Sequence, residues 1–241
     1  MVNKFAALLL DGLFPRYCAL CRLPSDTDLP LCGGCAADLT GNLHACTRCA
    51  LPLPAPTLAG SSRTCGTCLA SPPPYTRAVA PWRYDACLAY LIGRWKFHRE
   101  QYLTGLMAHL WLQGAAGAES ADLVVPVPLH WRRRWQRGFN QSELLARQLL
   151  RARPRLGELA PHLVRRNRAT PPQSGIGAGP RRANLAGAFT VCGPCDNLHI
   201  ALVDDVLTTG ATVAALAQAL RRAGAARVDV WCVARTPAPG S

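Results

Sequence analysis

The chain has 241 residues, a formal charge of +13 and 49% apolar residues, enough for one large domain or a medium domain plus a small module. No apolar run approaches the roughly 18 residues of a membrane helix, which excludes an integral helical membrane protein. The charge suggests a polyanionic partner, but Lys4 and Lys96 are the only lysines, and a coding bias toward arginine and alanine accounts for part of the excess.

At the start, the apolar run 5–10 is cut off by Asp11 and followed by Pro15 and Cys18, not by a small-residue cleavage site. Leu8, Leu9, Leu13 and Phe14 predict a short amphipathic helix, and the expected location is the cytoplasm. Eight of the twelve cysteines then form four Cys-x-x-Cys pairs: Cys18/Cys21, Cys32/Cys35, Cys46/Cys49 and Cys65/Cys68. Each pair offers two thiolates at the bite of a tetrahedral metal, and two pairs complete a Cys₄ site. Four pairs predict two structural Zn²⁺ ions, paired consecutively in the simplest arrangement and interleaved in the alternative. Four thiolates leave no open position, so the zinc is not catalytic. His44 is a spare ligand that eight cysteines make unnecessary.

Ser71 and prolines 72–74 mark a boundary between a module of residues 1–74 and a domain of residues 75–241. Beyond it the pattern predicts a helix from Ala86 to Trp95, continuing with a break towards Leu112. A buried strand over 122–129 ends in a proline-stiffened loop. Asn140 caps the next helix, with Glu143 completing a capping box over Leu144, Leu145 and Leu149. Strands are expected at 188–191, 200–203 and 228–233. Strand–loop–helix units in this order imply a parallel sheet flanked by helices, an α/β fold. Cys192 and Cys195 flank Gly193-Pro194 as in a thioredoxin dithiol, but they lie between two strands rather than at a helix start, which reads as a hairpin turn. Cys87 and Cys232 are expected to be buried apolar residues.

Three basic clusters occupy the middle of the chain: Arg132, Arg133 and Arg134 with Arg137; Arg165 and Arg166 with Arg168; and Arg181 with Arg182. Trp131, Trp135 and Phe139 are interleaved with the first. Arginine supplies charge for phosphate and aromatic faces can stack bases, so this run is the candidate contact for single-stranded DNA.

The most informative segment is 199–213. An apolar run meets Asp204 and Asp205, then a small hydroxyl-rich turn of Thr208, Thr209, Gly210, Ala211 and Thr212. A helix follows, with Val213, Leu216, Ala217 and Leu220 on one face. Backbone N–H groups and the positive end of a helix dipole favour a phosphate there. The carboxylates beside it suit sugar hydroxyls, held directly or through hydrated Mg²⁺.

Residues 203–212 resemble the signature by which type I phosphoribosyltransferases bind phosphoribosyl pyrophosphate (PRPP). The resemblance extends along the chain: cysteine pairs, Trp82-Arg83-Tyr84, Arg94 to Phe97, Val125 to Leu129, Arg137 to Gln141, Thr170 to Gln173 and Arg181 to Asn184. Together these are similar to the ComF family, which includes competence and GntX-type proteins. The resemblance implies a double zinc ribbon on a phosphoribosyltransferase fold, and a role in handling incoming single-stranded DNA. It implies that Asp204 and Asp205 hold the ribose and form the catalytic pair. Thr208, Thr209, Gly210, Ala211 and Thr212 would form the 5-phosphate loop, and Val127, Pro128 and Leu129 the pyrophosphate loop. Arg137 and Gln141 match a family block with no role assigned. Residues 175–180 depart from the family's charged helix and are expected to be loop.

The expected activity is a phosphoribosyl transfer from Mg-PRPP to an acceptor the sequence does not identify. A non-catalytic PRPP sensor that contacts DNA, and a scaffold for DNA-uptake proteins, stand as alternatives.

Overall fold

The computed structural model describes residues 16–55, 63–115, 117–129, 135, 138–167 and 187–238. Its N-terminal part is one small unit built twice. In each half a Cys-x-x-Cys turn is closed by a backbone hydrogen bond, Cys18 N–H to Leu23 and Cys46 N–H to Leu51, both 2.8 Å. Bridges between Tyr17 and Pro24, and between Ala45 and Pro52, flank the two turns. The residue after each pair, Arg22 or Ala50, takes a positive φ to complete the turn. Each half then reaches a five-residue helix opened by a cysteine: α1 (Gly33–Ala37) after Cys32 and α2 (Gly66–Ala70) after Cys65.

Next come β1 (Arg77–Val79), β2 (Trp82–Arg83), α3 (Ala86–Phe97), α4 (Leu103–Gly114), β3 (Leu123–Pro126) and α5 (Gln141–Ala152). They are followed by β4 (Glu158–Leu159), β5 (Val164–Arg166), β6 (Phe189–Val191), β7 (His199–Leu207), α6 (Ala211–Arg222) and β8 (Arg227–Arg235). The main sheet has the order β1-β8-β7-β3-β4, with β2 also on β8, and every pairing in it is parallel. The helix expected from residue 86 is two helices. Asp85 caps α3 by accepting the Leu88 N–H at 2.9 Å, and the chain turns between α3 and α4 where Arg99 has positive φ.

Central strands buried on both faces read as continuous apolar runs, and β7 and β8 do so. Ala201, Val203, Trp231 and Val233 join one core with Trp95, Trp111 and Leu145 from α3, α4 and α5. Ile200, Leu202, Val228 and Val230 join another with Leu216 and Leu220 from α6. Helices therefore cover both faces of the sheet. The cysteine units share these cores: Cys18, Ala19, Leu31 and Leu39 pack in the first, and Ala50 in the second beside Tyr75 and Leu207. Backbone bonds from Ala78 to Arg48 and from Asn42 to Pro81, both 2.7 Å, join the second unit to the β1–β2 segment.

Three expectations change. The strand over 200–203 runs on to Leu207, so the acids sit within it rather than after it. No capping box forms: Asn140 accepts the Ser142 N–H at 3.1 Å, while Glu143 pairs with Arg147, one turn on, at 2.8 Å. Cys192 to Cys195 is not a hairpin, because β6 pairs antiparallel with β5 and the loop carries the chain back to the main sheet. The N-terminal helix, Trp131, Arg132, Arg133, Arg134, Arg137, Arg168, Arg181, Arg182, the 170–173 and 181–184 blocks and the 175–180 loop lie outside the described residues.

Candidate metal centres and anion site

The eight N-terminal cysteines come together in two groups, Cys18/Cys21/Cys32/Cys35 and Cys46/Cys49/Cys65/Cys68, with the sulfurs of each group within 4.8 Å of one another. Consecutive pairing is therefore the arrangement, and His44 is in neither group. Tetrahedral zinc with Zn–S bonds of about 2.3 Å sets sulfurs about 3.8 Å apart. Cys21 and Cys32 are 3.8 Å apart, and Cys49 and Cys65 are 3.7 Å apart. The Cys65 N–H points at the Cys46 sulfur at 3.3 Å, as a thiolate accepts.

Acidity agrees with that geometry. Burial pushes Cys18 up, but N–H groups of Cys32, Cys21 and Leu20 outweigh it and bring the thiol down to about 6. Cys46 falls to about 7 in the same way, against burial, through Cys49, Cys65 and Arg48. Cys35 and Cys68 are pushed far up, by burial first and then by the neighbouring sulfurs. Four thiolates this close need a cation to exist together, and zinc supplies it.

The second site lies at the carboxyl ends of adjacent strands β3 and β7, where open α/β sheets bind ligands. The cores show the strand pleat changing phase at the acidic pair. Ala201 and Val203 share a core with Val206, whereas Ile200 and Leu202 share theirs with Leu207. Each acid takes up a backbone donor there. Asp204 Oδ1 accepts the Asp205 N–H at 3.0 Å, and Asp205 Oδ1 accepts the Val206 N–H at 2.6 Å. Helix α5 contributes Ser142, whose hydroxyl donates to Asp204 Oδ1 at 3.0 Å. Helix α3 contributes Lys96, whose Nζ is 2.7 Å from Asp205 Oδ1. Burial, then the charge of Asp205, raises the Asp204 carboxyl to about 7 against the pull of Lys96.

Beyond the pair, the chain turns at Thr208 to Gly210 and enters α6. Gly210 sits at φ 74°, a left-handed conformation that glycine adopts without strain, and it opens the helix. The Thr209 hydroxyl accepts the Ala211 N–H at 3.4 Å. Asp204 and residues 206–213 line a small concavity of about 50 Å³. Across β3, the Val127 carbonyl accepts from Asn140 at 3.2 Å, and the Val127 N–H donates to Val203 at 2.9 Å, so this loop is pinned beside the strand that carries the acids.

Asp204, Thr208, Thr209, Gly210, Ala211 and Thr212 thus line one surface, whereas Asp205 is buried against Lys96 beside it, and Val127 follows the neighbouring strand end. Arg137 lies outside the described residues. Phe139 is 8% exposed and packs in the core, so it offers no face to a base, whereas Trp135 is 83% exposed. Cys232 is buried opposite Asp204 in the sheet, and its thiol is held far above the ordinary range by burial and by both acids. Cys87 is only partly buried. Sequence reasoning missed Lys96 and Ser142 as members of the site. The signal for Lys96 was its rarity, one of two lysines among arginines; Ser142 carried none.

Residues 9–70 match the family model of the double zinc ribbon domain. Over 230 residues the chain is 40% identical to the DNA utilization protein YhgH of Salmonella typhimurium, covering 92% of this chain and 98% of that protein. It is 32% identical to competence protein F of Haemophilus influenzae over 216 residues, 85% of this chain and 90% of that one. Among solved structures, a hypoxanthine phosphoribosyltransferase from Staphylococcus aureus aligns over 56% of this chain and 73% of its own, with 11% identity and a TM-score of 0.34. Identity of 40% and 32% to these two relatives, over most of both chains, makes this chain a member of the ComF family, a double zinc ribbon joined to a parallel α/β domain.

Proposed function

We propose that the chain binds PRPP with Mg²⁺ at the β7–α6 site and serves in the handling of single-stranded DNA, with residues 1–74 as the metal module and 75–241 as the ligand-binding domain. The observation that carries this reading is the acidic pair held at the end of β7, directly before a glycine-opened helix N-terminus. Vicinal hydroxyls suit the carboxylates, and a 5-phosphate suits the loop N–H groups and threonine hydroxyls. Mg²⁺, when bound with the ligand, would supply charge neutralisation for the pyrophosphate. The protein's own part is to fix the sugar: Ser142 orients Asp204, Lys96 orients Asp205, and the Gly210 turn aims the helix at the phosphate.

The DNA component rests on the names of the relatives, DNA utilization protein and competence protein F, and on the basic run beside exposed Trp135. Among the described residues no helix is long and apolar enough to cross a membrane. Two thiol clusters poised for zinc suit a reducing compartment, so we assign the chain to the cytoplasm.

Calorimetric titration with PRPP, with and without Mg²⁺, tests the reading. Saturable Mg²⁺-dependent binding supports it, and no heat under either condition overturns it in favour of a scaffold. Release of pyrophosphate on adding candidate acceptors, single-stranded DNA among them, then separates a transferase from a sensor.

A further inference from the structure

Lys96 has no place in the phosphate loop, yet it makes the shortest charge contact at the acidic pair. Its ammonium lies 2.7 Å from Asp205 Oδ1, and the two side chains are only 17% and 12% exposed. The contact is built rather than incidental. Lys96 lies in the last turn of α3, and its carbonyl accepts from the buried Gln141 side chain at 3.4 Å. Gln141 begins α5, whose next residue, Ser142, holds Asp204. One junction of two helices therefore positions a donor on each acid.

The oxygens are divided consistently. Oδ1 of Asp204 takes Ser142 and the Asp205 N–H, and Oδ1 of Asp205 takes Lys96 and the Val206 N–H. Among the described residues no donor reaches Oδ2 of either acid, and Asp204 also lines the concavity at the start of α6. Two carboxylates side by side would otherwise collect a divalent cation. An ammonium at 2.7 Å from Asp205 offsets one of the two charges that would attract a cation.

We infer that Lys96 is a specificity-determining residue: it replaces a metal ion at the acidic pair, so that the pair selects sugar hydroxyls without a metal and rejects a bare divalent cation. The inference deepens the proposed function and rests on it for the identity of the sugar phosphate. Mg²⁺ is then required by the pyrophosphate and not by the ribose.

The test uses the full zinc-loaded chain, ribose 5-phosphate in the presence of EGTA, and Mn²⁺ alone read by electron paramagnetic resonance at the non-zinc site. The wild type should bind ribose 5-phosphate without metal and show weak Mn²⁺ binding. Lys96→Met should lose at least tenfold in sugar-phosphate affinity and gain at least tenfold for Mn²⁺, while Lys96→Arg, which keeps the charge, should still reject Mn²⁺. Unchanged Mn²⁺ affinity in Lys96→Met, or an equal gain in Lys96→Arg, overturns the inference. Wild-type protein that binds no ribose 5-phosphate, while Lys96→Met still gains Mn²⁺, upholds the metal exclusion and overturns the sugar-phosphate reading instead. Circular dichroism and zinc content confirm that each variant is folded.

Discussion

Arg235 ties Cys49 to the turn that follows β7. Its Nε donates to the Cys49 carbonyl at 3.1 Å, while Nη1 donates to the carbonyls of Leu207 at 2.9 Å and Thr208 at 2.5 Å. The second cysteine cluster and the anion site are thus braced by one buried guanidinium at the end of β8. Arg235→Ala removes the donor to the Cys49 and Thr208 carbonyls, each worth roughly 1–3 kcal/mol when buried without one, while Leu207 keeps the Thr236 N–H at 3.2 Å. The expected outcome is a loss of stability of about 3 kcal/mol in denaturant titration. Faster release of one zinc equivalent to a colorimetric chelator should accompany it.

Purified protein should contain close to two zinc ions per chain. Cys18→Ser and Cys65→Ser should each remove one, because the sulfurs form two separate groups. Mass-spectrometric metal analysis with a thiol count measures this. Eight reactive thiols with no metal after anaerobic purification would refute it. Chelation of both ions should unfold the N-terminal units, since metal binding and folding are coupled.

Asp204→Asn combined with Asp205→Asn should abolish PRPP binding in calorimetry with the fold intact. The change preserves size and hydrogen-bonding shape and removes the charge facing the sugar. Thr209→Val should weaken binding by roughly 1–3 kcal/mol through loss of a hydroxyl donor. Unaltered affinity in the double variant would give the acids another role.

The Asp204 carboxyl is raised from its ordinary 3.8 to about 7, by burial and then by Asp205. A carboxyl raised on folding favours its protonated form, so its contribution is best at low pH. That contribution declines as pH climbs from about 4 to about 7 and then levels off. Asp204→Asn should therefore be more stable than the parent at pH 8, by on the order of 2 kcal/mol, and equal to it near pH 4. The difference between variant and parent cancels the separate loss of zinc in acid. A gain that is the same at both pH values would contradict the shifted acidity.

Trp135 and Phe139 separate stacking from packing. Trp135→Ala should weaken single-stranded DNA binding by roughly 1–3 kcal/mol and leave stability unchanged. Phe139→Ala should cost about 3–5 kcal/mol of stability, the scale for a buried aromatic truncation. Fluorescence anisotropy over a salt series measures the first, and affinity should fall steeply as salt rises. Thermal denaturation measures the second.

Much of the site was readable as sequence because its parts are local. A Cys-x-x-Cys turn closes within six residues, from Cys18 to Leu23. The run from Asp204 to Thr212 is a strand end, a turn and a first helical turn, each set by its neighbours. The capping box failed for a local reason as well: Glu143 had a competing partner one turn along in Arg147, and an ion pair at that spacing won.

What the sequence determined by itself is the chemistry available: four Cys-x-x-Cys pairs, an acidic pair, a small hydroxyl-rich turn before a helix, and apolar runs suited to central parallel strands; their grouping into two sets of four thiols came from the structure. What the tertiary structure alone decided is which distant groups meet them. Ser142 reaches Asp204 across 62 residues, and Arg235 reaches Cys49 across 186. The choice of Lys96 as the partner of Asp205 belongs with these. Spacing along a chain encodes contacts within a turn or two of helix or strand. Contacts between elements depend on how α3, α5 and β8 pack on the shared cores, and that is settled by apolar burial summed over many residues rather than by the residues that finally touch.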